Sequence, residues 1–193
     1  ERLLGGANGA LVVLDASTGA VIAMASAPGF DPNLFVPRIS SQEYSRLLKN
    51  PDRPFLNKAA QGSYMPGSIA KPLVGICLLE NGIPPEHEID CDGFTMIGDS
   101  RIRCWYWYGG GHGGVDLLRA LEISCNDFFI ENGLRLGVNR LSATFASAGI
   151  GSDTGFPLPE SDGLLPSRNQ GKHRWNIFDP ALVAIGQGRI EVT

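Results

Sequence analysis

The sequence predicts an α/β (α+β) chain, in which one antiparallel hairpin precedes a series of helices interrupted by a long glycine-rich stretch. Three observations carry this. Two apolar runs, Ala10–Leu14 and Ala20–Ser26, flank the turn Asp15-Ala-Ser-Thr-Gly19, the pattern of strand, turn, strand. Later apolar runs are opened by Ser, Asp or Pro and closed by Asn or Gly, which is helix punctuation. Hydrophobic residues make up 43% of the 193 and charged residues 19%, a globular balance with enough chain for one domain and a sizeable core.

The elements follow in order. Pro28–Asn33 leads out of the hairpin as loop, and Ser41–Asn50 reads as a short helix capped by Ser40 or Ser41. Pro66-Gly67-Ser68 opens a helix that runs through Leu73–Glu80 and stops at Asn81-Gly82. Ile83–Gly114 has no clear period, with Trp105-Tyr-Trp-Tyr108 and the patch Gly109–Gly114 inside it. A loop of that length in a compact domain is functional or tied down by something. Asp116 caps a helix over Leu117–Ile123, which halts at Ser124-Cys125-Asn126. Helices over Asp127–Arg135 and Asn139–Ala148 come next. A Gly- and Pro-rich loop over Gly151–Arg174 follows, then a last apolar segment from Pro180 to Ile185.

Several function classes are disfavoured. A net charge of −4 gives no electrostatic reason to expect a nucleic-acid partner. No apolar run approaches the ~18–20 residues that span a bilayer, and the first residues do not form a signal peptide. A membrane anchor, if the protein has one, is expected outside this sequence.

The pair Ser68 and Lys71 is the most informative feature. A serine hydroxyl is a poor nucleophile unless a neighbour takes its proton. Residues three apart on a helix share a face, and Ser68 is the only serine followed by lysine at that spacing. A capping serine with a solvated lysine is the plain alternative. Against it, Lys71 is followed by Pro72 and a continuous apolar run. Burial there destabilises the ammonium, lowers its pKa and makes it a base. Acyl transfer also needs a second hydroxyl–amide group facing the nucleophile, and Ser124 with Asn126 at the helix break fits. Ser167-Arg168-Asn169 has the same form but sits in a loop with no helix to aim it.

Four cysteines are too few for a disulfide scaffold. Cys77 belongs to the apolar face of the Ser68 helix. Cys91, Cys104, His112 and Cys125 offer three thiolates and an imidazole, a set suited to tetrahedral zinc. A Cys91–Cys104 disulfide with a surface histidine is the competing reading.

Together, Pro66-Gly67-Ser68-Ile-Ala-Lys71-Pro72 and Ser124-Cys-Asn126-Asp-Phe-Phe129 resemble the nucleophile and second motifs of the penicillin-binding proteins. Gly9–Gly19 with Ile22–Ser26 is similar to the opening hairpin of their transpeptidase domain. Gly111-His112-Gly113 and Ala184-Ile-Gly-Gln-Gly188 resemble the elongation-type class B members. The resemblance implies a penicillin-binding/serine β-lactamase-like transpeptidase fold, an antiparallel sheet flanked by helices. Residues 1–193 would form its N-terminal and central part. No lysine here precedes Thr-Gly or Ser-Gly, so the family's Lys-Thr-Gly strands are expected elsewhere.

The resemblance also implies a function. Ser68 would be acylated, Lys71 would be its base, and Ser124 and Asn126 would complete the relay and bind substrate. The substrate would be a peptidoglycan stem peptide ending in D-Ala-D-Ala, with β-lactams acylating the same serine. A membrane glycosyltransferase of the elongation machinery would be a partner, at the periplasmic face of the inner membrane. No organic cofactor is implied. Some members carry zinc at positions matching Cys91, Cys104, His112 and Cys125. A β-lactam sensor domain or a serine β-lactamase would share the acylating core. No carboxylate placed to activate a deacylating water is evident, which favours a long-lived acyl-enzyme.

Overall fold

A computed structural model describes residues 4, 6–167 and 175–193. The chain divides into two compact units. One takes in the residues up to Ser63 with Gly155–Ser161 and Thr193, and the other Tyr64–Thr154 with Asp162–Val192.

In the first unit, β1 (Gly9–Leu14) pairs antiparallel with β2 (Val21–Ala27), from Gly9↔Ala27 to Leu14↔Val21. The Asp15 carboxylate builds the turn by accepting from the amides of Ser17 and Thr18 at 2.8 and 3.0 Å. Helix α1 (Ser41–Leu48) starts where Ser40 Oγ accepts from Glu43 N at 3.1 Å. Edge-on contacts among Phe30, Phe35 and Phe55, with Tyr44 tilted against Phe55, gather the irregular segments.

The second unit carries the core. A 3₁₀ turn over Gly67–Ala70 runs into α2 (Lys71–Glu80), closed at Asn81. Helices α3 (Leu117–Glu122), α4 (Asn126–Ser147) and α5 (Asp179–Ala184) complete the helical layer. Val74, Leu78, Phe129, Ile130, Phe145 and Ala184 are buried at their junction. The two helices expected over Asp127–Arg135 and Asn139–Ala148 are both present, as the parts of α4 on either side of Gly137, whose φ of 73° and ψ of 162° are not helical and are adopted cheaply only by glycine.

The stretch Ile83–Gly114 is not structureless. It contains β3 (Ile89–Cys91), β4 (Phe94–Ile97) and β5 (Ser100–Arg103), and β6 (Gly113–Val115) follows. β4 pairs with β5, and β3 with β6 through Cys91↔Gly113. Strands of three or four residues are too short to show a period, and the β3–β6 partners lie far apart in sequence. Of the second Ser-x-Asn copy, Arg168 and Asn169 lie outside the described residues. No helix among the described residues is long and apolar enough to cross a membrane.

Candidate active site

The turn that carries Ser68 is set by two glycines. Gly67 (φ 60°) donates its amide to Gly186 O at 2.8 Å. Gly186 (φ 69°) approaches so closely that a Cβ would strike the Gly67 carbonyl. Ser68 therefore enters the 3₁₀ turn at a fixed angle.

Lys71, at 2% exposure, is the largest fully buried side chain of the described chain. Its three ammonium protons are all placed. Nζ donates to Ser124 O at 2.8 Å, Ser124 Oγ at 2.9 Å and Asn126 Oδ1 at 2.7 Å. Beneath it lies the Phe129 ring, 5.4 Å to the centroid. Burial pulls the Lys71 pKa down to about 8, against the opposing pull of charge on Cys104 and Cys125. Ser124 Oγ in turn donates to Ser68 Oγ at 3.0 Å. Lys71 is thus linked to Ser68 through the Ser124 hydroxyl.

Ser124 can do this because its backbone is left-handed, with φ 54°, a conformation that costs a non-glycine residue ~1–3 kcal/mol. The twist turns its carbonyl and hydroxyl together toward Lys71. Asn126 opens α4. It holds Lys71 with its oxygen while Nδ2 donates to Arg103 O at 3.4 Å, so one amide proton remains for a substrate carbonyl.

Cys125, between them, faces the other way. The ligand atoms of Cys91, Cys104, His112 and Cys125 lie within 4.8 Å of one another. His112 Nδ1 is 3.4 Å from Cys91 Sγ and 3.6 Å from Cys104 Sγ, and Cys104 Sγ is 4.0 Å from Cys125 Sγ. Tetrahedral zinc with Zn–S near 2.3 Å separates its donors by about 3.4–3.8 Å, so the set fits that ion with little movement. All four cysteines are free thiols.

The donor set is chemically unfinished by itself. The hydrogen bond shared with Cys125, helped by backbone amides, lowers the Cys104 pKa, while that same hydrogen bond and then burial drive Cys125 up. Burial pushes Cys91 to about 11. Three buried thiolates cannot coexist without a cation. His112 Nε2 is also buried without a hydrogen-bond partner. Below the cluster, Asp127 Oδ2 accepts from Cys91 Sγ at 3.0 Å and Oδ1 from Thr95 Oγ1 at 3.2 Å. Burial raises the Asp127 pKa.

All eight residues singled out in the sequence fall into two clusters sharing the turn Ser124–Asn126. Sequence reasoning missed the supports: Phe129, Asp127, Thr95, Gly186 and the Arg103 carbonyl. Asp127 reads as an ordinary first-turn acid of α4, Thr95 acts through a lone hydroxyl in a short strand, and the others act through the backbone or packing, which leaves no local signature.

Comparison with known proteins identifies the family. Residues 9–193 match the penicillin binding protein transpeptidase domain. The chain is 39% identical over 194 residues to the peptidoglycan D,D-transpeptidase MrdA of Escherichia coli K12, covering 97% of this chain and 31% of that protein. It matches the crystal structure of PBP2 from Pseudomonas aeruginosa in complex with WCK 5153 at a TM-score of 0.88 and 34% identity, over 100% of this chain and 43% of that one. A chain of a peptidoglycan synthase complex, described as coordinating polymerization and crosslinking, matches at a TM-score of 0.83 and 35% identity, over 100% of this chain and 34% of that one. The chain belongs to the penicillin-binding protein transpeptidase family, with its likeness to the elongation-type PBP2 members, and has the fold the motifs implied. It spans about a third of the length of the curated relatives it matches.

Proposed function

We propose that residues 1–193 are the N-terminal and central part of a peptidoglycan D,D-transpeptidase domain that cross-links stem peptides during cell elongation. The observation that carries this is the unbroken chain from buried Lys71 through Ser124 Oγ to Ser68 Oγ. With Lys71 neutral, the Ser68 proton passes to Ser124 Oγ as the Ser124 proton passes to Nζ. Ser68 Oγ then bonds to the carbonyl carbon of the penultimate D-alanine. When the C–N bond breaks, the departing D-alanine amine takes back the proton along the same path. An amine of a second stem attacks the ester, forms the cross-link and frees Ser68. Asn126 positions Lys71 and offers its remaining proton to the substrate backbone. β-Lactams acylate Ser68 in the same way.

Zinc is the metal we assign to Cys91, Cys104, His112 and Cys125. The mutual spacing of the donors, with His112 Nδ1 facing Cys91 and Cys104, supports it. With four protein ligands it is structural. Bound there, it would neutralise the thiolates and tether Cys125, holding the Ser124–Asn126 turn. Action at the periplasmic face of the inner membrane, beside a glycosyltransferase that polymerises the glycan, belongs to the same reading, which the likeness to MrdA and to a chain of a peptidoglycan synthase complex supports.

Fluorescent penicillin tests the core of this reading. Labelling of the full-length protein should be stable for many minutes and absent in Ser68→Ala. Labelling that persists in that variant would sink it, and rapid loss of label would point to a β-lactamase instead.

A further inference from the structure

We propose that the outward face of the β4–β5 hairpin, with Arg101 and Arg103 stacked on aromatic rings, reads carboxylates of an acidic stem peptide lying beside Ser68. The inference rests on the transpeptidase reading and names part of its substrate.

The pairing Phe94↔Arg103, Thr95↔Ile102, Met96↔Arg101 sorts the hairpin into two faces. Thr95 and Ile97 are buried and Ile102 half-buried, whereas Met96, Arg101 and Arg103 are exposed. The Arg101 guanidinium lies 4.6 Å from the Phe94 ring centroid, and that of Arg103 lies 4.4 Å from the Trp107 ring. Neither makes an ion pair among the described residues. Stacking holds a guanidinium by its flat face and leaves its N–H edge free, the arrangement that receives a carboxylate with two parallel hydrogen bonds. In a chain of net charge −4, two such cations together are a local feature, not a general surface property.

The strip is fastened to the catalytic turn. Arg103 O accepts from Asn126 Nδ2 at 3.4 Å, and Trp105 Nε1 donates to Ile123 O at 2.9 Å. Trp105 and Trp107 remain about half exposed, at 49% and 50%, which is much aromatic surface to leave beside a reacting group. The two arginines, two residues apart on β5, are separated by ~6.6–7 Å, the repeat at which an extended peptide shows side chains on one face. The partner chemistry is therefore an extended peptide with carboxylates upstream of the scissile alanine.

The test uses the full-length protein and two pentapeptide stems ending in D-Ala-D-Ala, one with free upstream carboxylates and one with those groups as carboxamides. Release of D-alanine should favour the acidic peptide about tenfold in kcat/KM, chiefly through KM, and the preference should shrink in high salt because exposed charges are screened. In the double variant Arg101→Gln, Arg103→Gln the two peptides should converge, while Arg103→Lys, which keeps charge without the planar fork, should retain part of the preference. An unchanged preference in the double variant overturns the proposal, as does an equal loss on both peptides, which would mark the arginines as supports of the Asn126 turn. If penicillin still labels Ser68 in these cases, the transpeptidase reading stands and this inference alone falls. A wild-type protein that neither takes the label nor releases D-alanine overturns both.

Discussion

The turn Ser124-Cys125-Asn126 separates two buried polar clusters that solve the same problem in opposite ways. On one side a lysine is taken out of water and every proton of its ammonium is given an acceptor. On the other, three thiols and an imidazole converge with one ring nitrogen unpartnered and more latent negative charge than the site can hold. The first cluster is complete from the chain's own atoms and can run in either protonation state. The second is complete, in the reading proposed above, only with a cation. The difference shows that burial alone does not define a catalytic site. A reactive group needs partners that tolerate both of its charge states, and a structural metal site needs ligands that tolerate only one.

Breaking the first cluster at its centre should have the largest effect. Lys71→Met, similar in length and apolar, is expected to slow acylation by penicillin ~10³-fold, the scale of a lost general base. Retention of more than a tenth of the wild-type rate would contradict the role given to Lys71. Ser124→Ala interrupts the chain but leaves Lys71 two of its acceptors, so a smaller loss of ~10²-fold is expected. Stopped-flow acylation would measure both.

The zinc assigned to the second cluster is tested by removing it. Chelation, or Cys125→Ser, should lower the melting temperature by about 10 °C, since a metal bound only by the native state contributes several kcal/mol. Elemental analysis should find one zinc per wild-type chain and none in the variant. A chelator-resistant melting curve with no zinc would favour another state of the thiols.

A milder probe is pH. Lys71 accepts a proton only when neutral, and its pKa is lowered by burial to about 8. Acylation should therefore rise about tenfold per pH unit below that value and level off above it. A rate that is flat or falls from pH 6 to 8 would show that the amine is not the base. The smallest effect is expected from Thr95→Val, which leaves Asp127 Oδ1 short of its donor. The loss is ~1–3 kcal/mol, read as a few degrees in the melting temperature with acylation nearly intact.

Much of this molecule was legible from residue order. The β1–β2 hairpin, the Ser40 cap of α1, the stop at Asn81 and the Asp116 cap of α3 are local events, decided by turn chemistry and capping within a few residues. The eight candidate residues were legible by type, because acyl transfer and tetrahedral metal binding each need a short list of side chains. Pairing across distance was not legible. Strands β3 and β6 become partners only when a chain of more than twenty residues closes between them. The break at Gly137, by contrast, was legible, since the sequence already sets two helical stretches apart around it.

What the sequence determined by itself was the local geometry and the chemical inventory, since both depend on neighbours along the chain. The tertiary structure alone decided that Lys71 addresses Ser68 through Ser124, that Cys125 points away from its two neighbours, and that Arg103 lends its carbonyl to Asn126. Those choices depend on a left-handed residue at position 124 and on helices packed from distant segments. Directions of that kind are fixed by which groups a closed core leaves able to find partners.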